Sequence, residues 1–112
     1  MPAFMKSFDS YKIYHYGGPQ PFEGSMEAVW IPCFSSGRQV GSLCFMIDPA
    51  RVQENRIIND QIMLFFDIDR FTEVVSTLRY EAPLFLMINT DTKEGALVTR
   101  DLEPVGEEES SR

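Results

Sequence analysis

The stretch Gln61–Arg100 constrains the fold more than any other part of this chain. It reads QIMLFFDI, DRFTEVVSTLRYE, PLFLMINT, DTKEG and ALVTR in order: a strand, a helix, a strand, a tight connection and a strand. Ile62–Phe66 (IMLFF) and Leu84–Ile88 (LFLMI) are apolar at every position. Such runs suit strands covered on both faces, or strands lying in an interface. Between them, Phe71, Val74, Val75 and Leu78 fall at i, i+3, i+4 and i+7, which makes one apolar stripe along a helix. Arg70, Glu73, Ser76, Thr77 and Arg79 then face away. The spacing predicts a helix over about 69–80, roughly 18 Å long. Asp67 or Asp69 can cap it by accepting from its free N–H groups. Pro83 excludes helical geometry at Ala82 and stops it. Two valines lower its intrinsic propensity, so the helix depends on docking.

The chain upstream reads as sheet. In Met26–Phe34 (MEAVWIPCF), Met26, Ala28, Trp30 and Pro32 share one side, and Glu27, Val29, Ile31 and Cys33 the other. Gln39–Ile47 (QVGSLCFMI) is a second strand, and Gly37 in the intervening turn can take positive φ. Met26–Ile47 is therefore a hairpin, with Gly41 as a candidate bulge. Pro32 has no N–H and marks an edge, a bulge or the end of pairing. Leu84–Thr99 reads as a second hairpin. In Tyr11–Tyr16 (YKIYHY), Tyr11, Ile13 and His15 alternate with Lys12, Tyr14 and Tyr16, a pattern suited to an edge strand. Met1–Phe8 is either a frayed terminus or an edge strand. Gly17–Gly24 is a Pro/Gly loop. Ala50–Asp60 reads as a connection with room for one helical turn. Eleven structureless residues there would be long for a compact domain, so a missed element is most expected in it.

The expected fold is α+β: a mainly antiparallel twisted sheet or partly closed β-barrel of five to six strands, with one amphipathic helix packed on it. The expected core is Val29, Ile31, Leu43, Phe45, Leu64, Phe66, Phe71, Val75, Leu78, Leu86, Ile88 and Val98. A chain of 112 residues is expected to be one domain, about 1–105, hiding about 65% of its unfolded surface. An acidic tail, 106–112, is expected to be disordered.

The net charge is −7, and Glu103, Glu107, Glu108 and Glu109 supply four of the negative charges. Without clustered Lys and Arg, double-stranded nucleic acid is a poor partner. Cys33 and Cys44 sit inside apolar runs and behave as small hydrophobes. No charged-then-apolar leader precedes them, and no apolar run reaches the roughly 18 residues of a membrane span. The expected setting is cytoplasmic, with both thiols reduced and no membrane association.

Few residues point to chemistry. His15 is the only histidine, and no positioned partner stands beside it in sequence. Cys33 and Cys44 are neither a C-x-x-C redox pair nor a full zinc ligand set. Asp67-Ile68-Asp69 could hold a divalent cation, but helix capping yields the same pattern. Phosphate-loop and nucleophile-elbow motifs are absent. No cofactor and no metal are expected. The aromatic set Tyr11, Tyr14, Tyr16, Phe22, Trp30 and Phe34 surrounds the 17–24 loop. It suits core burial, a protein interface or a ligand pocket.

The favoured function is a non-catalytic protein-interaction or assembly module, homo-oligomeric and most simply a dimer. The reason is that one helix covers one sheet face, while IMLFF and LFLMI have no polar face to leave in water. A small-ligand-binding domain or minor enzyme is the alternative, its pocket walled by Tyr14, His15, Tyr16, Phe22 and Trp30. A third reading is a single-stranded nucleic-acid binder on an OB-like sheet.

Overall fold

A computed structural model describes residues 3–16, 27–47 and 54–99. The 17–24 loop with Phe22, the segment 48–53 and the acidic tail lie outside the described residues. Among these residues, nine strands and one α-helix follow in chain order: β1 (Ala3–Phe8), β2 (Ser10–Tyr11), β3 (Tyr14–His15), β4 (Glu27–Ser35), β5 (Arg38–Met46), β6 (Arg56–Ile58), β7 (Gln61–Asp67), α1 (Phe71–Tyr80), β8 (Leu84–Asn89) and β9 (Gly95–Val98). The chain is thus α+β, with mostly strands and one short helix. Among the described residues, however, the strands form two sheets and no closed barrel.

The larger sheet has the order β2-β4-β5-β7-β6, with β3 also on β4; the smaller has the order β1-β8-β9. The two local hairpins expected from sequence are present. β4 and β5 pair antiparallel through Ser36 and Gly37, whose φ values of 53° and 81° are the two left-handed residues a tight hairpin turn requires. β8 and β9 pair antiparallel from Phe85↔Val98 to Ile88↔Gly95. β1 settles the N-terminal segment as an edge strand antiparallel to β8. Tyr11–Tyr16 follows the outer edge of β4 in two short pieces, with Lys12 N–H donating to the Pro32 carbonyl at 3.2 Å between them. Pro32 is therefore no end to pairing, because β4 bonds through its carbonyl there and keeps Ser42 opposite on β5.

Two features depart from a simple antiparallel reading. β6 occupies the segment expected to be a connection, and it turns into β7 at Asn59 and Asp60, with φ of 52° and 65°. Asn and Asp are the side chains that tolerate that region best. β7 then slides between β5 and β6, lying parallel to β5 from Gly41↔Ile62 to Met46↔Asp67 and antiparallel to β6.

The core lies between the sheets and under α1. Ile31, Leu43, Phe45, Ile62, Leu64, Leu86 and Ile88 are fully buried there, joined by Val29, Cys33, Val74, Val75 and Leu78. Of the expected core, Phe66 and Phe71 pack against this cluster half-buried, and Val98 is half-buried on the far face of β8 and β9. Truncating a fully buried Leu such as Leu86 to Ala costs about 2–5 kcal/mol in cores of this kind. The helix opens where Asp67 accepts from the Asp69 N–H at 2.9 Å. A 3₁₀ turn over Ile68–Arg70 follows, and α1 ends at Tyr80 before Pro83. No described helix is long and apolar enough to cross a membrane.

Candidate functional site

Strand alternation sorts the sequence-derived site residues onto opposite faces of the larger sheet. Tyr14 pairs with Trp30, and His15 with Val29. Val29 belongs to the core, so His15 projects to the side occupied by α1, and Tyr14 to the far side. On that far side Tyr14, Tyr16 and Trp30 come together. The Tyr14 and Trp30 ring centroids are 5.1 Å apart, and the Tyr14 and Tyr16 centroids 6.4 Å apart and stacked. Fully buried Cys44 lies beside Trp30 in register. His15 does not join these rings. It meets Phe71 of α1 edge-to-face, with centroids 5.5 Å apart, and Phe71 in turn packs edge-to-face on Phe45 at 5.4 Å.

On the His15 side an open groove of about 300 Å³ runs between the edge of the larger sheet and one flank of α1. Ile13, Phe71 and Val75 give it apolar walls, and His15, Arg79 and Tyr80 its polar and aromatic rim. Phe71, Val75 and Arg79 repeat every four residues, which aligns them along one helix flank. Arg79 is exposed, as its place off the apolar stripe predicts. The sequence signal that joins it to this groove is the four-residue row running on from Phe71 and Val75.

A second, polar cleft of about 620 Å³ lies between the β4–β5 and β6–β7 turns. Its charges are partly matched already: Lys6 pairs with Asp60 at 3.0 Å. The cysteines are brought to adjacent strands but not to one another. Cys33 points into the core, whereas Cys44 lies on the opposite face of the larger sheet. Burial pushes the Cys33 thiol up from 9.0 to about 12. It is therefore a protonated core residue at neutral pH, its Sγ 3.6 Å from the Ile31 carbonyl. Asp67 and Asp69 act at the helix start, as described. Among the described residues no three His, Cys, Asp or Glu side chains converge.

The far face of the smaller sheet is a separate feature. β8 buries Leu84, Leu86 and Ile88 on one side and carries Phe85 and Met87, half-buried, on the other. Register places Met5 and Ser7 of β1, and Ala96 and Val98 of β9, beside them. Met5 is 52% exposed, and none of these side chains packs against the core.

Family models, curated proteins and solved structures were all compared with the chain, and none of them matches it.

Proposed function

We propose that this chain is a non-catalytic interaction module that assembles with a second copy of itself, most simply as a homodimer. One observation carries the reading: the outward face of β1, β8 and β9. Met5, Phe85, Met87, Ala96 and Val98 form it, Ser7 and Asn89 are its polar members, and none of its described residues is charged. Larger contiguous apolar patches on a soluble protein mark contact surfaces. A sheet face of this kind is covered by a second sheet about 10 Å away. A two-fold axis lets the same patch serve both copies, because each Met87 then meets the face that surrounds its own counterpart.

Sedimentation velocity over a wide concentration range tests this. The native chain is expected to sediment as a dimer, and Met5→Glu and Met87→Glu as monomers. Met5 is exposed in the protomer, so Met5→Glu is expected to leave the circular dichroism unchanged. A native chain that stays strictly monomeric at millimolar concentration would overturn the proposal.

A further inference from the structure

The groove between β3 and α1 has the chemistry of a small-ligand site, and it lies away from the outward face of the smaller sheet. Its walls are apolar: Ile13, Phe71 and Val75. Its rim carries one permanent cation, Arg79, and the imidazole of His15, held edge-on by Phe71. The chain as a whole has 17 acidic and 10 basic residues. Yet no Asp or Glu is among the described residues of this groove, where Thr72, Ser76 and Tyr80 are the remaining polar groups. The described lining of this groove therefore carries one positive charge, on Arg79, and no negative one, and it favours an anion over a cation. A volume of about 300 Å³ stands at the small end of ligand sites, which suits a single ring better than a nucleotide.

We propose that this groove binds a single-ring organic anion, a carboxylate on an aromatic or cyclic body. The ring lies against Ile13, Phe71 and Val75. The carboxylate accepts hydrogen bonds from the Arg79 guanidinium, whose planar fork matches it in geometry. The Ser76 and Thr72 hydroxyls stand on the same flank of α1 and donate to whichever lone pairs remain. Arg79 has a competing role, since a cation in the last turn of a helix also offsets the helix dipole. That role needs no ligand, and the experiment separates the two.

The inference does not depend on self-assembly. Benzoate and benzamidine, two single-ring probes of similar shape and opposite charge, are titrated into the full chain while backbone amide signals are followed by NMR. Benzoate is expected to shift the signals of Ile13, His15, Val75 and Arg79 saturably, and benzamidine to leave them unsaturated. Arg79→Ala is expected to weaken benzoate at least about 10-fold, the loss of one charge-assisted contact. Ser76→Glu, which puts a carboxylate into the groove at an exposed helical position, is expected to do the same. Well-dispersed spectra of both variants show that they remain folded. Equal responses to the two probes would overturn the proposal. So would shifts scattered away from the groove, or benzoate binding unchanged in both variants.

Discussion

Gly41 on β5 lies directly beneath Leu86 on β8, so close that a methyl group in place of its hydrogen would overlap the Leu86 Cδ1 atom and the Ile62 carbonyl of β7. This one position joins three strands. It lets the parallel neighbour approach and lets the smaller sheet sit down on the larger. The Ile62 carbonyl is backbone and cannot swing aside. Gly41→Ala is therefore expected to destabilise the protein by about 1–3 kcal/mol, the range for overpacking a tight core. Gly37→Ala, which meets open space but must hold φ at 81°, is expected to cost about 1 kcal/mol from backbone strain alone. Urea unfolding midpoints check the order of the two.

Asn55 ties the ends of the two sheets. Its Oδ1 accepts from the Phe65 N–H at 2.8 Å, and its Nδ2 donates to the Lys93 carbonyl at 3.0 Å. Phe65 is on the larger sheet and Lys93 on the loop of the smaller, so one amide spans both. Asn55→Ala leaves a half-buried backbone donor without its partner, at a cost of about 1–3 kcal/mol. Amide exchange should show the change locally, as faster exchange at Phe65. An Asn55→Asp chain keeps the acceptor and loses the donor, and it is expected to fall between the two in stability.

Asp67 and Asp69 are separated by one residue but do different work. Asp67 accepts from the Asp69 N–H and holds the 3₁₀ turn that leads into α1. Asp69 contributes charge in that first turn. Asp67→Ala is expected to cost about 1 kcal/mol, as N-cap removal does. Asp69→Ala is expected to cost a few tenths of that, as a screened dipole interaction does. Thermal unfolding of the two variants under one buffer makes the comparison.

These residues also show where local pattern informs and where it fails. The stripe Phe71, Val74, Val75 and Leu78 and the alternation of Tyr11–Tyr16 are short-range patterns, and both survive intact in the fold. The Ser36-Gly37 hairpin is local as well. Nothing local, however, states that β7 runs parallel to β5, because that pairing joins residues about twenty positions apart through a strand, β6, only three residues long. Ile57 and Ile58 are too few to carry a period, so pattern alone makes β6 a connection. Asn55 and Gly41 owe their roles to neighbours from other strands. The candidate site divides in the same way. Tyr14 and Trp30 meet because β3 pairs with β4. His15 leaves them because odd and even positions of a strand face opposite ways. Its partner Phe71 comes from 56 residues downstream, and no spacing announces that.

Cys33 links the core to alkaline pH. Its thiol is fully buried among apolar side chains, and the charged thiolate is disfavoured there, so its pKa is raised from 9.0 to about 12. The folded state holds this proton to higher pH than the unfolded chain does. The stability it contributes is therefore fully present below 9.0 and is lost as pH rises through about 12. Within that window each pH unit removes about 1.4 kcal/mol for one differentially bound proton. The informative quantity is the difference between two proteins that share every other group. Cys33→Ala is expected to start less stable at neutral pH, having lost the packing of its sulfur. It is then expected to lose stability less steeply above 9.0, by about one proton's worth of slope. Urea unfolding of both proteins at pH steps between 9.0 and about 12 measures the two slopes. Parallel lines would mean that the thiol ionises as readily inside the fold as outside it.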